Sequence, residues 1–168
     1  DDNIHIIGGK TNKDHLIYYV RKNEIKLIEQ KINKINAIAV LKYGQKILKF
    51  GGYDFNTNER IDTFIMSHDI ENGDNEIKWC IKPKFKLKQA VFGCGCVLYK
   101  HFVVVFGGST AHQRYTDKIY VLDLRKDIGW VEVEHMKCPL ASRYVACATE
   151  DNFVHIYLNI NKWPNWKK

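Results

Sequence analysis

Three short apolar runs in this chain of 168 residues each end on a pair of glycines. The pairs begin at Gly8, Gly51 and Gly107, so their starts lie 43 and 56 residues apart. A motif that recurs at this spacing predicts a repeat architecture, in which each copy is one structural unit of the same kind. The full set of paired glycines is Gly8, Gly9, Gly51, Gly52, Gly107 and Gly108.

Apolar runs of strand length surround each glycine pair, and no segment shows a sustained helical period. Three such runs occur in the first unit, four in each of the next two, and two in the last, which gives thirteen strands. They cover 4–7, 14–20 and 25–28; 37–41, 46–50, 62–67 and 77–81; 91–98, 102–106, 117–123 and 130–133; and 144–148 and 153–157. Four-stranded antiparallel units of roughly 50 residues are typical of the blades of a β-propeller.

A tryptophan recurs at an equivalent place in two of these units, and three further residues mark other places in them. Trp79 and Trp130 lie 51 residues apart, Tyr120 lies on the strand after a glycine pair, and Pro139 precedes Arg143 by four positions. In this pattern the chain resembles the kelch-repeat family. The resemblance implies an all-β fold, a kelch-like β-propeller segment of four-stranded antiparallel blades.

The blade units implied by the repeat cover about 1–34 (partial), 35–88, 89–138 and 139–168 (partial). Thirteen strands make a little over three blades, whereas propellers close with roughly four to eight. We therefore expect an incomplete ring. Further blades or another chain would be needed to complete it or to cover its open edges.

Composition favours a globular β protein and excludes few partners. Hydrophobic residues make up 45% of the chain and charged residues 27%, which are ordinary globular values. The formal net charge is +7, but the lysines are scattered, so we do not expect nucleic-acid binding. No stretch of 18 or more apolar residues and no secretory signal occurs, and we expect a cytoplasmic protein that does not enter a membrane.

Sequence motifs of catalysis and metal binding are missing. The five cysteines include no Cys-x-x-Cys pair, so we expect buried free thiols in a reducing compartment. The glycine pairs lack the Gly-Lys-Ser/Thr ending of a phosphate loop, and we assign them a structural role at strand ends. His5 occupies a strand-face position, as does His155 in the last unit. We expect no catalytic residue, no cofactor and no metal site, and hence no enzyme.

Two kinds of segment are candidates for binding a protein partner. Loops that follow glycine pairs are polar and rich in aromatic residues, a mixture typical of protein-binding surfaces. The residues concerned are Tyr53, Asp54, Phe55 and Arg60 in one loop, and His112, Arg114 and Tyr115 in another. The segment 82–88 alternates lysine with apolar residues, and as an extended chain it would present four lysines to an acidic peptide.

The family resemblance implies a protein-interaction module, an adaptor or scaffold whose blades display loops to a protein partner. Two alternatives stay open. One is a propeller enzyme of the oxidase or sugar-isomerase kind, which would need His, Tyr, Asp or Arg side chains to converge from distant blades. The other is a partial propeller that assembles with another chain through open blade edges.

Overall fold

Strands make up almost all of the regular structure in the computed structural model. It describes residues 3–7, 15–28, 35–36, 38–54, 57–67, 78–110, 115–138, 144–148 and 154–158, which form sixteen strands, one turn of 3₁₀-helix and no α-helix. In chain order the strands are β1 (Asn3–Ile7), β2 (His15–Tyr19), β3 (Glu24–Ile28), β4 (Ile35–Asn36), β5 (Ala39–Tyr43), β6 (Lys46–Phe50), β7 (Tyr53–Asp54), β8 (Glu59–Arg60), β9 (Phe64–Ser67), β10 (Trp79–Ile81), β11 (Gly95–Tyr99), β12 (Phe102–Phe106), β13 (Ile119–Asp123), β14 (Val131–Glu132), β15 (Tyr144–Ala148) and β16 (Val154–Leu158). The predicted all-β class is confirmed.

All strand pairs are antiparallel, as expected for strands joined by short connections. The first sheet has the order β1-β2-β3, the second β5-β6-β9-β10 and the third β11-β12-β13-β14. A further pair is formed by β15 and β16, and a small sheet has the order β4-β7-β8. The thirteen predicted strands all occur, and the three strands of the small sheet are additional. The boundaries of the blade units stay predictions.

The predicted strand 91–98 is shorter than expected because its first half is not a strand. Gly93 has a φ of 62°, a left-handed conformation that interrupts a β-ladder. Phe92 and Ser109 instead exchange backbone hydrogen bonds in an isolated bridge, at 3.0 and 2.9 Å. The strand β11 therefore begins only at Gly95.

The three larger sheets are held together by alternate apolar side chains that pack between neighbouring sheets. Ile17 and Ile28 of the first sheet form one buried cluster with Ile47 of the second. A larger cluster joins the second sheet to the third. Burying a side chain of this size contributes roughly 1.5–3 kcal/mol, so these clusters are the main source of stability. The larger cluster includes Leu48, Phe50, Val103, Val105, Leu122 and Trp130.

Strands β5, β11 and β15, each at one end of its sheet's strand order, lie side by side. In each of these sheets the remaining strands follow in order away from β5, β11 or β15. The sheets thus succeed one another with equivalent strands adjacent.

The glycine pair at 51–52 lets the end of β6 approach the start of the third unit closely. Gly51 has a φ of 64°, and a Cβ placed on it would lie 2.7 Å from the backbone oxygen of Val91. The Gly52 N–H donates to the same oxygen at 2.8 Å. Only glycine fits this position, because a side chain would clash with backbone that cannot move independently.

The segment 82–88 is not an extended chain, so its four lysines do not form the predicted row. Pro83–Phe85 is a 3₁₀ turn, since Pro83 starts the turn and the Lys86 N–H donates to its carbonyl oxygen. Leu87 is buried in the large cluster. The Lys84 ammonium pairs with Asp127, and the Lys86 ammonium lies 3.0 Å from the Asp62 carboxylate. Binding of an acidic peptide here stays a prediction.

Trp130 connects the third sheet to this 3₁₀ turn. Its indole N–H donates to the Phe85 carbonyl oxygen at 2.8 Å, and its ring meets Phe50 edge to face with centroids 5.8 Å apart. Trp79, the equivalent tryptophan one unit earlier, has an indole nitrogen with no hydrogen-bond partner in the described part of the chain.

We predict that Gly51→Ala destabilises the protein far more than Gly44→Ala. Gly44 also has a positive φ, but nothing lies within 4 Å of a Cβ placed there. Gly44→Ala should therefore cost about 1 kcal/mol of unfolding free energy for the left-handed backbone alone. Gly51→Ala adds the clash with Val91 and should cost about 3 kcal/mol. Urea unfolding measures both, and equal losses would contradict the close-approach account.

We also predict that Trp130→Phe costs more stability than Trp79→Phe. The first change removes a hydrogen bond and leaves the Phe85 carbonyl without this donor, at about 1–3 kcal/mol. The second removes no indole hydrogen bond to a described residue and weakens only a cation–π contact, at less than about 1 kcal/mol. Equal changes in unfolding free energy would show that ring volume, not the hydrogen bond, decides both sites.

Candidate functional site

The predicted loop after Gly51-Gly52 is largely built into the small sheet. Tyr53 pairs with Asn36 on one side and with Arg60 on the other. The Tyr53 hydroxyl donates to the Asn58 side-chain oxygen, and Asp54 is buried with only 4% of its surface exposed. Asp54 therefore has almost no surface to offer a partner, and its predicted part in partner binding stays a prediction without support from its burial.

The loop after Gly107-Gly108 presents one of its predicted residues to solvent. Tyr115 is 53% exposed, although its backbone forms a bridge with Ser109. The adjacent Thr116 is buried and its N–H donates to the Gly108 carbonyl oxygen at 3.0 Å, which holds the tyrosine on ordered backbone. Several predicted residues lie outside the described ones: Gly8, Gly9, Phe55, His112, Arg114 and Arg143.

A surface that the sequence analysis missed is one face of the first sheet. Strand pairing places two cross-strand rows on this face: Ile4 beside Tyr18 and Ile25, and Ile6 beside Leu16 and Leu27. Its most exposed members are 49–67% accessible. We call this surface the first-sheet outer face; it consists of Ile4, Ile6, Leu16, Tyr18, Ile25 and Leu27.

Equivalent faces of the second and third sheets are buried. When the glycine pairs are superimposed, Ile4 corresponds to Ile47 and to Val103. Those two residues are 3% and 0% exposed because each packs against the preceding sheet, whereas Ile4 is 53% exposed. The first-sheet outer face thus resembles the faces that pack against a preceding sheet, but no described sheet packs on it. The alignment of the repeats, followed residue by residue, was the signal that could have found it.

The opposite face of the first sheet is unusually polar where it packs on the second. The Nδ1 of His5 and the Nε2 of His15 are 2.7 Å apart, and His15 is fully buried. Across the contact, the Lys49 ammonium lies 3.8 Å from the centre of the Trp79 ring. Burial lowers the pKa of His15 to about 3, with the charges of His5 and Lys49 adding to the effect. Burial also lowers the pKa of Lys49 to about 8.

The cysteines in the described residues have the environment of packed thiols. Cys80, Cys94, Cys96 and Cys138 are free, and two of them, Cys94 and Cys138, are buried. Burial raises the pKa of Cys96 to about 11 and raises that of Cys94 as well. Both are therefore protonated at neutral pH, whereas the thiolate is the form that acts as a nucleophile.

One acid–base cluster stands out in the described chain, around Asp123 at the end of β13. Its carboxylate accepts hydrogen bonds from the Arg125 backbone N–H at 3.0 Å and from the guanidinium at 3.2 Å, and His101 lies 3.8 Å away. The Arg125 side chain lowers the pKa of Asp123, so this carboxylate stays ionised and is a weak base. The arrangement closes the turn after β13. Within the described ranges, this cluster included, no group of three or more His, Cys, Asp or Glu could hold a metal ion.

The chain is similar in fold to a solved protein of greater length. No protein-family model matches it, and no curated protein matches it either. Among 162 matching chains of solved structures is one described as "Structure of YjhT", with a TM-score of 0.69 and 12% sequence identity. The match covers 90% of this chain and 54% of that one, so the chain spans about half the length of YjhT. At this identity the similarity concerns the fold alone. Among the described residues, no helix is long and apolar enough to cross a membrane.

Proposed function

We propose that the chain is a protein-interaction module built as part of a kelch-type β-propeller. The succession of antiparallel sheets supports this, since β5, β11 and β15 would be the innermost strands of successive blades. The similarity in fold to YjhT is consistent with it. The glycine pairs, Tyr120 and the two equivalent tryptophans would then be the blade signature.

The first-sheet outer face is the observation that carries the proposal. Contiguous apolar surface of this kind marks interaction sites, because a soluble protein gains by covering it. Ile25 and Leu27 are 67% and 51% exposed. Burying each of them against a partner would contribute roughly 1.5–3 kcal/mol. A protein partner with an apolar surface is the chemistry that fits.

The loop that carries Tyr115 would provide a second contact. A half-exposed tyrosine on ordered backbone loses little conformational freedom when it is buried, and tyrosine is enriched among the residues that dominate binding energy. The module would act by presenting such loops to a protein partner, because the packed sheets hold the loops in fixed positions.

Replacing Tyr115 by alanine tests the loop contact. We expect the melting temperature to change by less than about 2 °C, because the side chain is exposed. Affinity for a partner that the wild-type chain captures should fall roughly tenfold or more. The matched control is Met136→Ala, since Met136 is 55% exposed on a different turn. If both variants bind the partner with equal affinity, this loop is not part of the interface.

An open sheet edge favours a second candidate function, assembly of the partial propeller with another β-sheet. Among the described strands β1 pairs only with β2, whereas the equivalent strands β6 and β12 have neighbours on both sides. The unpaired backbone of such an edge can accept a further strand. A strand added at this edge would extend the first sheet, whereas covering the first-sheet outer face requires another sheet stacked on it.

The double variant Ile25→Lys with Leu27→Lys tests assembly through the first-sheet outer face, to which both side chains belong. We expect sedimentation of the wild-type chain to show a mass that rises with concentration, and the variant to weaken this association at least tenfold. Its melting temperature should stay nearly unchanged, because both side chains are exposed. The control is Ile128→Lys, which is equally exposed at 67% on a turn of the third sheet. A concentration-independent mass for the wild type would contradict self-assembly.

A further inference from the structure

We propose that the His5–His15 pair, together with Lys49, is an acid-sensitive contact that holds the first sheet on the second and releases it when the histidines take up protons. This device goes beyond partner binding, because it would control exposure of a different surface. It rests on the positions of the groups between two packed sheets.

The two imidazole rings share one hydrogen bond, with 2.7 Å between the His5 Nδ1 and the His15 Nε2. A neutral pair satisfies it, since one ring donates and the other accepts. Two fully protonated rings would both be donors at these atoms, and the bond would become a repulsion. His15 is fully buried, so water cannot relieve that charge while the sheets stay packed.

The second nitrogen of His15 offers a protonated ring no compensating hydrogen bond. Its Nδ1 is buried and has no hydrogen-bond partner in the described structure. An imidazolium carries a proton on both nitrogens. Protonated His15 would therefore bury an N–H group without an acceptor, as well as a charge.

Charged groups around the pair are mainly positive. Lys49 on β6 is 7% exposed and raises the cost of a charge on His15, while Lys42 on β5 does the same for His5. From β10 the Trp79 ring lies beneath the Lys49 ammonium. On β3, Glu24 and Lys26 share the face of the histidines, and no carboxylate in the described ranges forms an ion pair with either ring.

Acid therefore favours the separated sheets. The pKa of His15 lies near 3 in the packed state and near 6.5 when the ring is free, so the separated state binds more protons below about pH 6.5. The contact is fully stable above that pH and weakens as the pH falls towards 3. At pH 5 the separation equilibrium should be about 30-fold more favourable than at pH 7.5. Separation would expose Ile17, Ile28, Ile47 and Trp79.

Amide hydrogen exchange measured at pH 7.5 and pH 5.0 tests the proposal, after correction for the intrinsic exchange rates. Protection of the amides of β1 to β3 should fall about 30-fold at pH 5.0, while protection of β12 should change much less. His15→Leu should remove the difference between the two pH values. His135→Gln, which changes an exposed histidine, should preserve it. Parallel loss of protection in the first and third sheets, or an unchanged pH effect in His15→Leu, would overturn the proposal.

A measurement on the unaltered chain covers the case in which His15→Leu does not fold. The His15 ring can be followed by nuclear magnetic resonance between pH 8 and pH 4. We expect it to stay neutral for as long as the first sheet keeps its protection. Titration near pH 6.5 with protection intact would show that the packed state accepts the proton, and the proposal would fail.

Discussion

Packing of one sheet against the next is the interaction on which the rest of the structure depends. Each of the three larger sheets is a single layer of only three or four strands, so it cannot bury its apolar residues alone. Val103 is completely buried because it meets the second sheet, whereas its counterpart in the first sheet, Ile4, is 53% exposed. The candidate interface and the proposed acid-sensitive contact lie on opposite faces of this first sheet.

Much of the fold could be predicted from the sequence because strand positions depend on local alternation. The run 102–106 reads as a strand and is one. The small sheet was missed because β4, β7 and β8 have two residues each, and pairing across a loop, not periodicity, creates them. The segment 82–88 alternates like a strand, yet Pro83 turns it into a 3₁₀ turn.

The candidate site was harder to predict, because alternation shows that a strand has two faces and does not show which face is covered. In β3, Ile25 and Leu27 alternate with Lys26, and the usual expectation would bury the isoleucine and the leucine. The structure exposes them, because the polar side of the sheet is the side that meets the second sheet. His5 and His15 are ten residues apart in the chain and become neighbours only through the register of β1 and β2.

The close contact between the glycine pair at 51–52 and Val91 bears on how such repeats diverge. Both glycines meet one carbonyl oxygen, so this junction is made across space between the end of one unit and the entrance of the next. Chain can be inserted or deleted in the intervening connection without moving the junction. Unequal distances between the pairs, 43 and 56 residues, are thus compatible with one repeated geometry. A description of the repeat that requires a fixed sequence period will therefore fail to match such chains at a divergence where a comparison of folds still succeeds.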